Sequence, residues 1–205
     1  MQPIYPTYST IEVFNSTYDM VKAIKLDGAI VECGVAAGSN FAQMIKASMD
    51  SGINRQYWGF DSFRGIPFGI EDIDKEQPGI GKINGMDGRL QSTGITMHDK
   101  PGVIENLKKW GVWNENVYLV EGWFQDTLTK DHDLKSISVL RLDGDLYEST
   151  KVCLDNLYDK VQKGGLIIID DYELAGCKKA VDDFLKSKRA SKKLKRFSYI
   201  AYWYK

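Results

Sequence analysis

The chain has almost no excess of charge of either sign. Lys and Arg number 27 against 28 Asp and Glu, a net charge of -1, so nothing draws the whole molecule toward nucleic acid or a membrane surface. No apolar run is long enough to cross a bilayer. The opening "MQPIYPTYST" lacks a basic stretch followed by an apolar one, so no signal peptide is expected. Cysteine is scarce. Cys33, Cys153 and Cys177 are odd in number and far apart in sequence, which excludes a disulfide framework and a zinc site and points to core packing in a reducing, cytoplasmic compartment. No internal repeat is visible. The glycine turn "VECGVAAGSN" has no Gly-Lys-Ser/Thr after it, so it is not a P-loop.

What is present is an alternation of two periods. Short apolar strands are expected at Ala29–Gly34, Tyr57–Asp61, Val117–Gly122, Ile137–Asp145 and from Leu166 to Ile169. Between them, apolar residues fall at spacings of three and four. They are Phe41, Met44, Ile45 and Met49; Val103, Ile104, Leu107 and Trp110; then Thr150, Cys153, Leu154, Leu157, Tyr158 and Val161. Lys163-Gly164-Gly165 reads as the stop of that last helix. A final helix carries Cys177, Ala180, Val181, Phe184 and Leu185, and the aromatic tail "FSYIAYWYK" reads as an antiparallel edge strand. The expectation is an α/β fold, a mostly parallel doubly wound sheet with helices on both faces. Residues 1–205 read as one domain, with 1–27 as an N-terminal helical segment. The glycine-rich stretch 62–100 has no periodicity and reads as a lid or acceptor loop. The basic run 186–196 reads as a solvated helix end and connector.

Ligands of such sheets bind at the carboxyl ends of the strands. Each of those ends carries an acid: Glu32-Cys33-Gly34, Asp61-Ser62, Glu121-Gly122, Asp143 and Asp170-Asp171. Gly34 and Gly38 supply a glycine turn without the first tight Gly-x-Gly of the dinucleotide fingerprint. Glu32 beside that turn would repel a pyrophosphate and accept a sulfonium or ammonium, which favours S-adenosylmethionine over NAD. Asp61 is placed to hold ribose hydroxyls. The pair Asp170-Asp171 can be a turn and a helix cap. With Asp143 on the neighbouring strand, it can instead hold a hard cation such as Mg²⁺.

The blocks "VECGVAAGSN", "GFDSFRGIP", "VEGWFQDTL", "RLDGDLYEST" and "LIIIDDY…GCKKAVDDF" resemble the macrocin O-methyltransferase family from about Gly28 to the C-terminus. The resemblance implies a Rossmann-like class I fold and S-adenosylmethionine-dependent methylation of sugar hydroxyls, often on 6-deoxyhexoses such as rhamnose. By position it implies Asp143, Asp170 and Asp171 as magnesium ligands, with Asp143 also the general base. The cofactor-binding set becomes Glu32, Cys33, Gly34, Gly38, Ser39, Asp61, Ser62, Glu121, Gly122, Trp123 and Asp143, with Trp123 near the adenine. The sequence departs from the family in a short N-terminal segment and in "KINGMDGRLQSTGITMHDK", regions that shape acceptor binding. The chain can therefore be a domain of a longer glycan-modifying polypeptide, and a homo-oligomer is left open. Two alternatives remain. A catechol-type enzyme would place a lysine shortly after the fourth-strand aspartate, where this chain has Leu146 and no lysine before Lys151. A non-catalytic nucleotide-binding module would dispense with one of the acids.

Overall fold

A computed structural model describes residues 7–74, 90–188 and 194–205. Thr10 caps the first helix, α1 (Ile11–Ala23), by accepting from the Val13 amide, and Val13, Phe14, Thr17 and Val21 form its buried stripe. The chain then alternates through β1 (Ala29–Cys33), α2 (Ser39–Asp50), β2 (Tyr57–Asp61), α3 (Lys100–Lys109) and β3 (Val117–Glu121). A short α4 (Phe124–Thr127) leads to β4 (Ile137–Leu142), α5 (Tyr147–Leu157), β5 (Val161–Ile169) and α6 (Ala175–Ser187), and the chain closes with β6 (Lys195–Phe197) and β7 (Ile200–Tyr204). The seven-stranded sheet runs β3-β2-β1-β4-β5-β7-β6. The pairs from β3 to β5 are parallel, whereas β7 is antiparallel to both β5 and β6.

The strands are apolar on both faces because both are covered. Side chains alternate along β1. Ile30 joins a core with Phe41 and Ile45 of α2 and Leu107 of α3. Its neighbours Val31 and Cys33 join the opposite core with Cys153 and Leu154 of α5 and Val181 of α6. All three cysteines are free and buried, as core packing requires. No helix among the described residues is long and apolar enough to cross a membrane.

Two boundaries differ from the sequence reading. Val161 does not close the α5 stripe and Lys163-Gly164-Gly165 does not stop a helix, because a 3-10 turn, Tyr158–Lys160, already ends α5 and β5 begins at Val161. The glycines belong to the strand, where the Gly164 amide donates to the Lys205 carbonyl and the Lys205 amide donates to Gly165. The fourth strand stops at Leu142, so Asp143 to Leu146 form a loop into α5.

The stretch read as a lid has built flanks. The Thr93 amide donates to Ile66, the Ile66 amide to Ile95, and the Phe68 amide to Gln91, tying its two ends into a short ribbon. Asp74, 1% exposed, reaches from that segment to accept from the Tyr147 amide at the start of α5. It fits because residue 176 is glycine: a Cβ there would stand 1.8 Å from the Asp74 carboxylate. Residues 75–89 of the lid reading and 189–193 of the basic run lie outside the described residues.

Candidate active site

The carboxyl ends of β1, β2, β4 and β5 open into a cavity of about 460 Å³. Its lining includes Gly34, Asp61 and Ser62, the aromatic side chains of Trp123 and Phe124, and the acids Asp143, Asp145, Asp170 and Asp171. Tyr8, Thr96 and Tyr199 contribute to the rim from segments far apart in sequence.

The glycine turn is shaped from beneath and beside. Gly34 has φ +91°, and a Cβ there would lie 1.8 Å from the backbone carbonyl oxygen of Asp143. Glycine at 34 therefore lets β1 and β4 end in contact, with the Asp143 amide donating to the Cys33 carbonyl. Asp61 completes the turn. Its Oδ2 accepts from the Val35 and Ala36 amides at 2.7 and 3.0 Å, and its Oδ1 accepts from Phe63 at 2.7 Å. Those three bonds use most of the lone pairs of a carboxylate. Asp61 borders the cavity, but most of its capacity holds the turn in shape. Burial raises its pKa, against the three amides.

Glu32 occupies a different place from the one its sequence position suggested. It is 0% exposed and is not among the residues that line the cavity. Its Oε1 instead accepts from Arg141 Nη1 at 2.6 Å. Cys33 is also fully buried. Gly38, Ser39, Glu121 and Gly122 flank the site without lining the cavity.

Arg141 is the functional-site residue that the sequence reading passed over, although a signal was present. A charged residue inside the apolar run "ISVLRLDGD" must have partners, because an unpaired buried charge is too costly. It is 1% exposed and faces three acids. Nη1 also donates to Asp143 Oδ2 at 2.9 Å, and Nη2 lies 2.6 Å from Asp170 Oδ1. Burial would lower its pKa, but the charges of Asp170, Asp143 and Glu32 outweigh that and hold it above the ordinary arginine value. Burial pushes Glu32 up to about 8, with Arg141 opposing. Asp170 is raised to about 6, again by burial opposed by Arg141.

Asp145 was also missed. It has φ +57°, which turns it back toward Asp171. One carboxylate oxygen from each of Asp143, Asp145 and Asp171 lies within 4.8 Å of the others. Burial, then the charges of Asp143 and Asp170, raise Asp145 to about 7. Asp171 is raised well above the usual carboxylate range by burial and then by Asp143, Asp145 and Asp170. Its Oδ2 is buried and receives no hydrogen bond among the described residues. Like charges and an orphaned oxygen suit a hard divalent cation with oxygen ligands. Asp143 and Asp171 of the expected set fall within this group, while Asp170 stands beside it with one oxygen against Arg141.

Residues 9–205 match the family described as macrocin O-methyltransferase (TylF). The chain belongs to that family. It is 35% identical over 167 residues to demethyldecarbamoylnovobiocin O-methyltransferase of Streptomyces niveus, covering 77% of this chain and 58% of that protein. It is 32% identical over 177 residues to 8-demethyl-8-(2,3-dimethoxy-alpha-L-rhamnosyl)-tetracenomycin-C 4'-O-methyltransferase of Streptomyces olivaceus, covering 81% of this chain and 61% of that protein. The match thus spans about three-fifths of the length of these two relatives. The solved structure of the O-methyltransferase NovP superposes with a TM-score of 0.82 at 30% identity, covering 97% of this chain and 81% of that one. This member of the macrocin O-methyltransferase family therefore has the expected Rossmann-like methyltransferase fold.

Proposed function

We propose that this chain is an S-adenosylmethionine- and Mg²⁺-dependent O-methyltransferase acting on a sugar hydroxyl, a 6-deoxyhexose such as rhamnose in a glycan or glycosylated natural product. The observation that carries the reading is one cavity lined by a glycine turn, two aromatic side chains and the acids Asp143, Asp145, Asp170 and Asp171. Family membership supports the methyl-transfer class. The Streptomyces olivaceus relative, named for O-methylation of a rhamnosyl tetracenomycin, supports the acceptor.

The roles divide along the rim. The turn at Gly34 and Ala36, with Trp123 opposite, would seat the nucleoside end of the cofactor. S-Adenosylmethionine supplies a methyl group already activated on a sulfonium. A sugar hydroxyl is a poor nucleophile at neutral pH, and a cation held by Asp143 and Asp171 with Asp145 or Asp170 would supply the acidification. Asp143 would accept the hydroxyl proton. Its Oδ2 is engaged by Arg141, so Oδ1 is the oxygen free to face the cation and the acceptor. Tyr8, Thr96 and Tyr199 would orient the acceptor at the mouth. The catechol reading is less well supported: Leu146 is buried, and no lysine lines the cavity among the described residues.

The test is mass spectrometry of methyl transfer to a panel of 6-deoxyhexosides, with Mg²⁺ and with EDTA. Transfer to a deoxysugar that EDTA abolishes and Mg²⁺ restores is the expected result. Full activity in EDTA, or transfer confined to catechols, would overturn the reading.

A further inference from the structure

Arg141 has more partners than charge compensation requires. A buried arginine needs one carboxylate to avoid standing alone, yet this guanidinium meets three, each from the end of a different strand. Glu32 comes from β1, directly beside Arg141 in the sheet register. Asp143 follows β4 and Asp170 follows β5. The contacts are 2.6, 2.9 and 2.6 Å. Asp143 and Asp170 each give a single oxygen to the arginine, and both residues line the cavity. The arginine fork is planar and rigid, so its hydrogen bond restrains the Asp143 carboxylate about its torsion and its ion pair draws one oxygen of Asp170 to the same guanidinium.

From this we infer that Arg141 is a positioning residue for the cation site: it holds Asp143 and Asp170 so that each carboxylate keeps one oxygen for the cavity. The inference rests on the metal reading given under Proposed function. Outer partners of this kind set both the orientation and the affinity of metal-binding groups. Lysine at 141 would keep the charge, and with it the compensation of Glu32 and Asp170. It would lose the fork, since an ammonium is a point charge that cannot hold two carboxylates in fixed directions.

The experiment measures Mn²⁺ binding by electron paramagnetic resonance, with Mn²⁺ as a probe for the Mg²⁺ site, alongside S-adenosylhomocysteine binding by calorimetry. The proteins are the wild type, Arg141→Lys, and the double variant Arg141→Gln/Glu32→Gln. The double variant removes one positive and one negative group together, so the site can still be read if the lysine variant does not fold. Both variants should bind Mn²⁺ about 10- to 100-fold more weakly than wild type, with S-adenosylhomocysteine affinity changed by less than about threefold. Glu32→Gln alone leaves both of the other contacts of Arg141 in place and should keep nearly wild-type Mn²⁺ affinity. Unchanged Mn²⁺ affinity in whichever Arg141 variants fold would overturn the positioning role while leaving the metal reading intact. Equal weakening by Glu32→Gln alone would also overturn it, because any loosening of the buried network would then suffice. A wild type that binds no Mn²⁺ would overturn the metal reading and this inference with it.

Discussion

Asp171→Asn should make the metal-free protein more stable while removing its response to Mg²⁺. Most substitutions at buried polar positions destabilise, so the sign is the informative part. Asp171 shares its corner with Asp143 and Asp145, with oxygens within 4.8 Å. At that separation and an effective dielectric constant near 20, each ionised pair costs about 3 kcal/mol. Proton uptake by the cluster relieves much of this, which leaves an expected gain of about 1–2 kcal/mol when one carboxylate becomes an amide. For a chain of this size that is a rise in Tm of about 2–8 °C. Thermal unfolding in EDTA at pH 8, where the acids are most fully ionised, measures it. Adding Mg²⁺ should then stabilise the wild type, by about 2.7 kcal/mol at a hundredfold excess over Kd, and should barely move Asp171→Asn. A variant less stable than wild type in EDTA, together with an undiminished Mg²⁺ shift, would refute the reasoning and return Asp170-Asp171 to a turn; they are not a cap, since Leu174 caps α6 with no side-chain bond.

Three further outcomes are expected. Gly34→Ala should lose about 2–4 kcal/mol, because alanine is strained at positive φ and its Cβ would overlap the Asp143 carbonyl; chemical denaturation checks this, and a near-neutral result would mean that the β1–β4 contact is loose. Burial raises Asp74 from 3.8 to about 6, so the folded state binds its proton more tightly than the unfolded one, and this contribution to stability is full below about pH 4 and lost as pH rises through 6. Asp74→Asn cannot lose that proton, so its Tm relative to wild type should climb between pH 4 and 7; a constant difference would show that Asp74 titrates normally. Hydrogen exchange in 62–74 and 90–100 should slow when S-adenosylhomocysteine and a deoxysugar acceptor are both bound, and unchanged exchange would count against closure over the acceptor.

The alternation of periods 2 and 3.6 was enough to place β1 to β4 and the stripes of α2, α3 and α6, because those patterns follow from which faces of a strand or helix must avoid water, although Met49 at the end of α2 is exposed. The acids at the strand ends were legible for the same reason, since an apolar strand that ends in a carboxylate delivers it to the rim. The cysteines were legible as core residues from their number and spacing. Neighbours across the sheet were not legible. Lys163 to Gly165 look like a helix stop until Lys205 is seen to pair with them. Asp61 looks like a ribose ligand alone until the amides of Val35, Ala36 and Phe63 show that it also holds the glycine turn in shape. Glu32 looks like a cation acceptor until the β1–β4 register sets Arg141 beside it. Asp145 joins the cluster only through a left-handed turn at its own position. Composition and periodicity are properties of one segment and could be read from the chain. The direction in which each carboxylate points depends on which strand lies alongside and in what register, and that is decided only when the sheet closes.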